Sequence, residues 1–374
     1  RYLNYTQTLG SCQCFLGLLP GIFPVEEGRT RVRPSPNGLS FLKNAQSPAL
    51  DLQPLVPLRT VRRRELMYQP FRSDPFHQRP YGGGGPWAMG IDAQDMLILR
   101  FGDQMNNVAV TDGDKVTAEQ VLGYHVDYCP VNDLMVYYQA VEDKEVQALV
   151  ATYFKEYEHD AALEQTGTEA YTKVWNSAKA EIALRRLLKD TGAKGFTTNF
   201  NDLGLFDQIP GLASQRLMAE GYGFGAEGDW KTAALYRTTW FMSQGLPKGC
   251  SFLEDYTLHF DGEKSAILQA HMLEVCPLIA EQKPRLEVHR LSIGIDSETA
   301  RLVFTSKQGE GVAATVVDLG NRFRLIVNEV ECVKSKELPK LPVASALWIP
   351  QPDFATGAAA WILAGGTHHT SFSY

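Results

Sequence analysis

Two parts of the chain differ in how apolar and polar residues are arranged. From about residue 87 onward, apolar runs and periodic stretches follow one another, and residues 96–103 (MLILRFGD) predict a buried strand ending at a Gly-Asp turn. Residues 1–86 show no sustained period of 3.6 or 2 and hold 11 of the 20 prolines. We expect these 86 residues to be irregular: disordered, a basic interaction tail, or sequence foreign to the native gene.

Helix and strand patterns alternate between residues 87 and 249. Capping-type residues open short helices at 117–122 and 131–135, and longer amphipathic helices are predicted at 146–157 and 172–188. A strand at 195–200, a helix after Pro210 and a helix at 231–242 capped by Asp229 complete the series. This alternation predicts a Rossmann-like α/β central domain over 87–249.

Strand patterns dominate from residue 250 to the end. Alternating or β-branched runs predict strands at 256–260, 285–293, 300–305, 311–318 and 322–329. We therefore expect a mostly antiparallel, barrel-like C-terminal domain over 250–374. After the turn-like residues 365–367 we expect neither a capping helix nor a closing strand, which would make this domain truncated.

Charge is unevenly distributed along the 374 residues. The net charge is −7, but residues 1–86 carry +6 and the remainder carries −13. Phosphate recognition needs a basic face, so the acidic remainder argues against a nucleic-acid partner and favours a small neutral or cationic ligand.

The cysteines and the apolar runs bear on the cellular compartment. The six cysteines are scattered and only Cys12 and Cys14 are close, which indicates neither a zinc site nor a disulfide framework. No run approaches the ~18–20 apolar residues of a membrane span. Residues 14–23 resemble the apolar region of a secretion signal but lack a cleavage site. We expect a cytoplasmic protein with reduced thiols and no membrane partner.

Two carboxylates are the first candidates for chemistry. Glu227 and Glu254 each stand among glycine and aromatic residues, and histidines follow at His271 and at the pair His368 and His369. Two carboxylates and two imidazoles suit a divalent cation. The separations of 27, 17 and 98 residues match no local metal motif, so a core histidine and a solvated loop glutamate stay open as alternatives.

Four blocks of sequence carry a resemblance to a known family. They are residues 100–115 (RFGDQMNNVAVTDGDK), 209–234 (IPGLASQRLMAEGYGFGAEGDWKTAA), 251–257 (SFLEDYT) and 361–370 (WILAGGTHHT). In this order they closely resemble the bacterial L-arabinose isomerases from about residue 87 to the end. Residues 1–86 contain no counterpart of the family's N-terminal sugar-contacting loop.

The resemblance implies roles for individual residues. It implies a divalent cation, manganese with cobalt as the alternative, held by Glu227, Glu254, His271 and His369, with His368 a neighbour and not a ligand. The two glutamates would also be the catalytic acid and base. The residues that would line the sugar pocket are Met105, Phe200 and Ile293; because these three are apolar, a purely structural role suits them nearly as well.

The resemblance also implies a reaction and an assembly. The reaction is conversion of L-arabinose to L-ribulose through a cis-enediol, with D-galactose to D-tagatose as a second substrate pair, in a homo-oligomer that is a trimer or hexamer. Two alternatives stay open. One is that the chain is a catalytically defective fragment of such an enzyme. The other is that it is a related ketol isomerase of the L-fucose isomerase type.

Overall fold

The computed structural model describes residues 96–245, 249–291, 295–335 and 338–374. The predictions made for residues 1–86, and for Ile293, lie outside the described residues. Within the described ranges the strands form three groups: a four-stranded parallel sheet, a closed six-stranded barrel and a three-stranded mixed sheet.

The first half of the described chain alternates helices with short strands. In chain order these elements are β1 (Leu97–Phe101), α1 (Lys115–Leu122), β2 (His125–Cys129), α2 (Val131–Gln139), α3 (Asp143–Glu156), β3 (Glu158–His159), α4 (Glu169–Thr191), β4 (Gly195–Thr197), α5 (Gly211–Ala219), β5 (Gly223–Gly225) and α6 (Trp230–Met242).

A parallel sheet lies at the centre of this half. Its strand order is β2-β1-β4-β5, and every adjacent pair is parallel. β4 and β5 are only three residues long, and their residues are buried because helices cover the sheet. The predicted α/β class is confirmed by this sheet and its helices.

α6 lies unusually close to β5. A Cβ atom at Gly225 would come within 2.0 Å of the Asp229 carbonyl oxygen, so glycine is required where the strand meets the helix. This close approach places the loop between β5 and α6 at the carboxyl ends of β4 and β5. In parallel sheets, ligands bind at that edge.

The second half of the described chain is rich in strands. Its elements are β6 (Cys250–His259), β7 (Ala266–Ala270), β8 (Arg285–Leu291), β9 (Ser297–Val303), β10 (Gly309–Asp318), β11 (Phe323–Val333), β12 (Ser345–Pro350), α7 (Phe354–Leu363) and β13 (His369–Ser373). β3 pairs in parallel with β8, which pairs antiparallel with β9.

Six of these strands close a barrel in the order β10-β11-β12-β7-β6-β13, and all pairs in it are antiparallel. The barrel-like prediction is confirmed, but the prediction that no closing strand follows residues 365–367 is wrong. β13 pairs with β6 on one side and β10 on the other. Four of its five residues are buried, so its sequence (HTSFS) lacks the alternation that marks a half-exposed strand.

Aromatic side chains connect the parallel sheet to the barrel. The Phe196 and Phe224 rings of β4 and β5 have centroids 5.4 Å apart, and Phe224 lies 5.4 Å from Phe252 of β6. All three side chains are fully buried. The two halves therefore share one continuous hydrophobic core.

Two sequence predictions on compartment concern features visible here. Four cysteines within the described ranges are buried and form no disulfide: Cys129, Cys250, Cys276 and Cys332. Within the same ranges, the structure contains no helix with the length and apolar character needed to cross a bilayer.

A buried glutamine joins α5 to the second half. The Gln215 side-chain amide donates to the Val275 carbonyl at 3.0 Å and the Leu302 carbonyl at 3.1 Å, and its oxygen accepts from the Leu302 N–H at 2.8 Å. It thereby provides hydrogen-bond partners for the backbone at the edge of β9 and anchors the segment that follows β7.

We predict that Gln215→Leu destabilises the protein by about 3 kcal/mol, because three buried backbone groups lose their partner. The melting temperature should fall by roughly 5–10 °C in a thermal unfolding experiment. Gln165→Leu, at an exposed position, is the matched control. Equal melting temperatures for the two variants would contradict the assigned role.

Candidate active site

Glu227 lies in the loop between β5 and α6 and has a left-handed backbone, with φ 59° and ψ 23°. For a residue with a side chain this conformation costs roughly 1–2 kcal/mol. Hydrogen bonds hold it in place. The Glu227 carbonyl accepts from the Met105 N–H and the Thr111 hydroxyl, both at 3.0 Å, and the Gly228 N–H donates to the Thr198 carbonyl at 2.9 Å. The backbone thus fixes where this carboxylate points.

Two adjacent imidazoles at the start of β13 meet this carboxylate. His368 Nε2 lies 3.1 Å and His369 Nε2 lies 3.6 Å from Glu227 Oε2. Burial acts to raise the pKa of Glu227, but the hydrogen bond from His368 and the charges of His369, His368 and His271 outweigh it and lower this pKa to about 2. Glu227 is therefore an ionised carboxylate at neutral pH.

Asp229 has two tasks. Its oxygens accept from the Thr232 N–H at 3.0 Å and the Thr232 hydroxyl at 2.7 Å, which caps α6 as predicted. Its Oδ2 also lies 3.0 Å from His369 Nδ1. Burial opposes ionisation, but Lys231 and the hydrogen bonds from His369 and Thr232 hold the pKa of Asp229 well below its usual range.

An ionised Asp229 accepts a hydrogen bond from the N–H at His369 Nδ1, so the tautomer of His369 carries its lone pair on Nε2. Burial and the charge of His368 lower the pKa of His369 against the opposing effect of Asp229 and Glu227, which favours the neutral ring at neutral pH. His369 Nε2 is buried and has no hydrogen-bond partner among the described residues. A buried nitrogen lone pair without a hydrogen-bond partner is unfavourable, and a bound ligand would provide the missing partner.

A second carboxylate–imidazole pair faces the first. Glu254 of β6 stands opposite His369 of β13 and opposite Ala270 of β7, directly before His271. His271 Nε2 lies 3.9 Å from Glu254 Oε2, and His271 Nδ1 lies 2.6 Å from Glu274 Oε2. The side chains of His271 and Glu274 are buried. Each imidazole therefore has a buried carboxylate at Nδ1 and a second carboxylate near Nε2.

Phe252 packs against both imidazoles. Its ring centroid lies 5.1 Å from that of His271 and 4.9 Å from that of His369, with edge-to-face geometry in both cases. The two imidazole centroids are 6.0 Å apart. One buried aromatic ring thus contacts both imidazoles, which also contact each other.

An apolar wall borders the His271 side of the site. The Phe200 ring is stacked on His271, with centroids 6.0 Å apart and planes 12° from parallel. The wall is a hydrophobic cluster of four buried residues, with partly buried side chains packed against it; its members are Phe200, Ile209, Leu273, Leu291, Met105, Leu203, Met272 and Ile295. Met105 and Phe200 are thus brought to the site, while Ile293 lies outside the described residues.

The four residues implied as metal ligands come together as two pairs, Glu227 with His369 and Glu254 with His271. The tightest set of donor atoms in the described residues is different: Glu227, His368 and His369 offer atoms within 4.8 Å of one another. The Glu227 carboxylate is close to the rings of both His368 and His369, which are adjacent in the chain. These three residues therefore group more tightly than the four implied ligands do. The exclusion of His368 as a ligand stays a prediction.

Sequence reasoning missed the residues that orient the imidazoles. Asp229 was recognised as a helix cap but not as the partner of His369, because 140 residues separate them. Glu274 stands three residues after His271, and this spacing is the sequence signal for a contact between the two side chains. Phe252 is one of the aromatic residues next to Glu254 in the chain, but sequence cannot show that its ring packs against two distant histidines.

The fold and site define a class of protein: an α/β sheet joined to an antiparallel barrel, with a carboxylate–imidazole centre where the two meet. Comparison with known families identifies the class further. The family described as "L-arabinose isomerase central domain" matches residues 97–245, and "L-arabinose isomerase C-terminal domain" matches residues 249–374. The chain belongs to the L-arabinose isomerase family.

Individual relatives agree with the family match. The chain is 76% identical to the L-arabinose isomerase of Phocaeicola vulgatus over 294 residues and 74% identical to that of Bacteroides thetaiotaomicron, covering 77% of this chain and 57% of each relative. It is 50% identical to the L-arabinose isomerase of Aeromonas hydrophila over 75% of this chain and 56% of the relative. The chain thus spans a little over half the length of the curated relatives it matches.

The Glu274–His271 pair makes stability depend on pH. Burial acts to lower the pKa of His271, but the charge and hydrogen bond of Glu274, with Glu254 and Glu227 behind them, raise it from 6.5 to about 9. The folded state thus binds the proton more tightly than the unfolded state does. This contribution to stability is fully present below pH 6.5 and is lost as the pH rises through about 9.

We predict that Glu274→Gln lowers the titration midpoint of His271 in the metal-free chain, because the amide accepts a hydrogen bond but carries no charge. The measurement is an NMR titration of the imidazole Cε1–H signals between pH 5 and pH 10. Glu310→Gln, at an exposed position, should leave the midpoint unchanged. A midpoint in Glu274→Gln equal to that of the wild type would contradict the assigned cause.

Proposed function

We propose that this protein is a metal-dependent aldose–ketose isomerase that converts L-arabinose to L-ribulose, with D-galactose to D-tagatose as a second pair. The observation that carries the proposal is the convergence of two carboxylate–imidazole pairs at the junction of sheet and barrel. Both imidazoles are oriented by buried carboxylates, as metal-binding histidines characteristically are. The names of the curated relatives support the same reaction.

The donor set suits a hard or borderline divalent cation. Glu227, Glu254, His271 and His369 would offer two carboxylate oxygens and two imidazole nitrogens, a set that fits Mn²⁺, with Co²⁺ as the alternative. The buried and unpartnered Nε2 of His369 supports this assignment. In the described ranges no cysteine thiol takes part in the cluster, which argues against a thiolate zinc site.

When bound, the cation would supply Lewis-acid polarisation of the sugar's carbonyl and hydroxyl oxygens. The chain's own residues would move the protons. Isomerisation transfers one proton between C1 and C2 and another between the two oxygens, passing through a cis-enediol. A glutamate carboxylate positioned next to C1 and C2 can accept the first proton from one carbon and return it to the other.

Glu254 is the more open of the two glutamates. Its side chain is 21% exposed, against 12% for Glu227, and its recorded polar neighbour is His271 at 3.9 Å. Glu227 already accepts from His368. We therefore assign transfer of the carbon-bound proton to Glu254 and stabilisation and transfer at the oxygens to Glu227. The apolar wall with Met105 and Phe200 would cover the C–H face of the sugar and limit the access of water.

The direct test is an assay of L-arabinose to L-ribulose conversion by this 374-residue chain, with and without added Mn²⁺. The full-length Bacteroides thetaiotaomicron relative is the positive control. D-galactose and L-fucose, tested beside L-arabinose, separate the proposal from an L-fucose isomerase type of activity. Mn²⁺ binding without turnover of any sugar would favour the alternative of a defective fragment.

We predict that Glu254→Gln abolishes turnover, with a loss of at least about 10³-fold, because the amide cannot accept the carbon-bound proton. The fold should persist, as judged by an unchanged circular dichroism spectrum. Glu310→Gln, on the surface, is the control and should retain full activity. Isomerase activity that survives in Glu254→Gln would exclude the assigned role.

We predict that Asp229→Asn weakens Mn²⁺ binding by about 10–100-fold, because the substitution keeps the helix cap but no longer fixes the tautomer of His369. Isothermal titration calorimetry of the metal-free protein measures this directly. Asp353→Asn, at the cap of α7, tests the same change away from the site. Equal Mn²⁺ affinity in the two variants would contradict the role of Asp229.

A further inference from the structure

A cavity of about 390 Å³ lies at the amino ends of β4 and β5, on the opposite edge of the parallel sheet from Glu227. Its lining comes from the end of α4, from the residues that lead into the two strands, and from α6. The polar side chains in this lining are Lys189, Lys194, Glu220, Tyr222 and Arg237. The cavity is therefore separate from the carboxylate–imidazole centre.

Two lysines give the cavity a positive charge. Lys189 lies in the last turn of α4, Lys194 directly precedes β4, and both side chains are exposed. Over the ranges that the structure describes, neither ammonium has a hydrogen-bond or ion-pair partner. Because the chain from residue 87 onward carries a net charge of −13, this concentration of positive charge is a local exception.

The carboxylate in the lining does not neutralise these lysines, because Arg185 holds it. Glu220 Oε1 accepts from Arg185 Nη2 at 2.7 Å, and Glu220 Oε2 accepts from Arg185 Nη1. Two parallel bonds of this kind are the strong geometry for a guanidinium and a carboxylate. The positive charge of Lys189 and Lys194 is thus left for another anion.

The third cation of the cavity, Arg237, is fixed by its neighbours. Its Nη1 donates to the Gly221 carbonyl at 2.9 Å, and its guanidinium carbon lies 5.1 Å from the centroid of the Trp240 ring. A side chain held in this way loses little conformational freedom when a ligand binds. Arg237 therefore presents a preorganised positive charge to the cavity.

A phosphate group suits this lining. It carries roughly −1.5 to −2 charges at pH 7 and has three strong acceptor oxygens. Two ammonium groups and a guanidinium are the side chains that recognise such a group. A neutral sugar would leave the three cations without a counter-charge.

The size of the cavity favours an organic phosphate over the inorganic ion. Its volume falls within the roughly 300–1,000 Å³ that is usual for sites of small organic ligands. The half-buried ring of Tyr222 offers apolar surface to the organic part of the ligand. Nucleic acid suits the cavity less well, because a phosphate backbone needs an extended basic face and the rest of the chain is acidic.

We propose that this cavity binds a phosphorylated small molecule, with its phosphate held by Lys189, Lys194 and Arg237. The proposal is independent of the proposed isomerase function, since the cavity and the carboxylate–imidazole centre lie at opposite edges of the sheet. It gives the chain a second ligand site of a different chemical class from a neutral sugar.

The test is isothermal titration calorimetry of the 374-residue chain in a chloride buffer of low ionic strength, where attraction between charges is least screened. The probe is D-ribose 5-phosphate, and D-ribose and inorganic phosphate are titrated beside it. We expect D-ribose 5-phosphate to bind, inorganic phosphate to bind more weakly, and D-ribose to give no heat of binding at this cavity.

Two double variants localise the binding. Lys189→Gln with Lys194→Gln should weaken D-ribose 5-phosphate binding by at least about tenfold, because two charged hydrogen bonds are lost. The matched control is Lys155→Gln with Lys283→Gln. It removes the same charge from two exposed lysines, one of them also in the last turn of a helix. The control should bind the probe as the wild type does.

The outcomes that would overturn the proposal are distinct. Equal losses in the two double variants would show that the probe responds only to net charge. Equal affinity for D-ribose 5-phosphate and inorganic phosphate would contradict a site for a phosphorylated molecule, and so would the absence of any binding up to about 10 mM probe. Mn²⁺ affinity and melting temperature should be the same in all variants, and a parallel fall in either would indicate a structural defect instead of a lost ligand contact.

Discussion

The hydrogen bond between Asp229 and His369 is the interaction on which the site depends. It joins the first residue before α6 to the first residue of β13, so a helix cap and a barrel-closing strand share one buried carboxylate. Because α6 packs against β5 with no room for a side chain at Gly225, the position of Asp229 follows from the position of the sheet. The barrel is thereby seated on the carboxyl edge of the sheet, where Glu227 lies.

Buried charge at this junction is balanced by further charges and dipoles. Lys231, almost fully buried, donates to the carbonyls of Val110 at 3.0 Å and Thr111 at 2.9 Å and to that of Asp112, and its ammonium lies 3.6 Å from Asp229. An isolated buried charge would be strongly destabilising, so the Lys231 ammonium and the Asp229 carboxylate offset the cost of burying each other. The network also fixes the loop at 108–112, which in turn holds the left-handed backbone of Glu227.

The sequence alone predicts the class of fold and the two candidate carboxylates. Alternating helix and strand patterns predict the α/β half. The glycine and aromatic residues around each lone glutamate mark these two carboxylates as candidate functional groups. Local patterns could not show that β13 closes the barrel, because nearly all of its residues are buried and period-2 alternation disappears in such strands. Nor could they join Asp229 to His369 or place the Phe252 ring against both imidazoles, since both depend on contacts between distant segments. Nor does the sequence decide that Glu227 pairs with His369 and Glu254 with His271, because each pair joins separate elements of the fold.

The closing strand also determines when the site can exist during folding. Glu254 and His369 are 115 residues apart in sequence, yet they face each other across one pair of strands. Contacts of such long range form late, because the loop between them must first be ordered. His369 cannot occupy its position beside Glu227 until β13 has inserted between β6 and β10. Any ligand held by His369 therefore binds only chains in which β13 has closed the barrel, and its binding reports that closure.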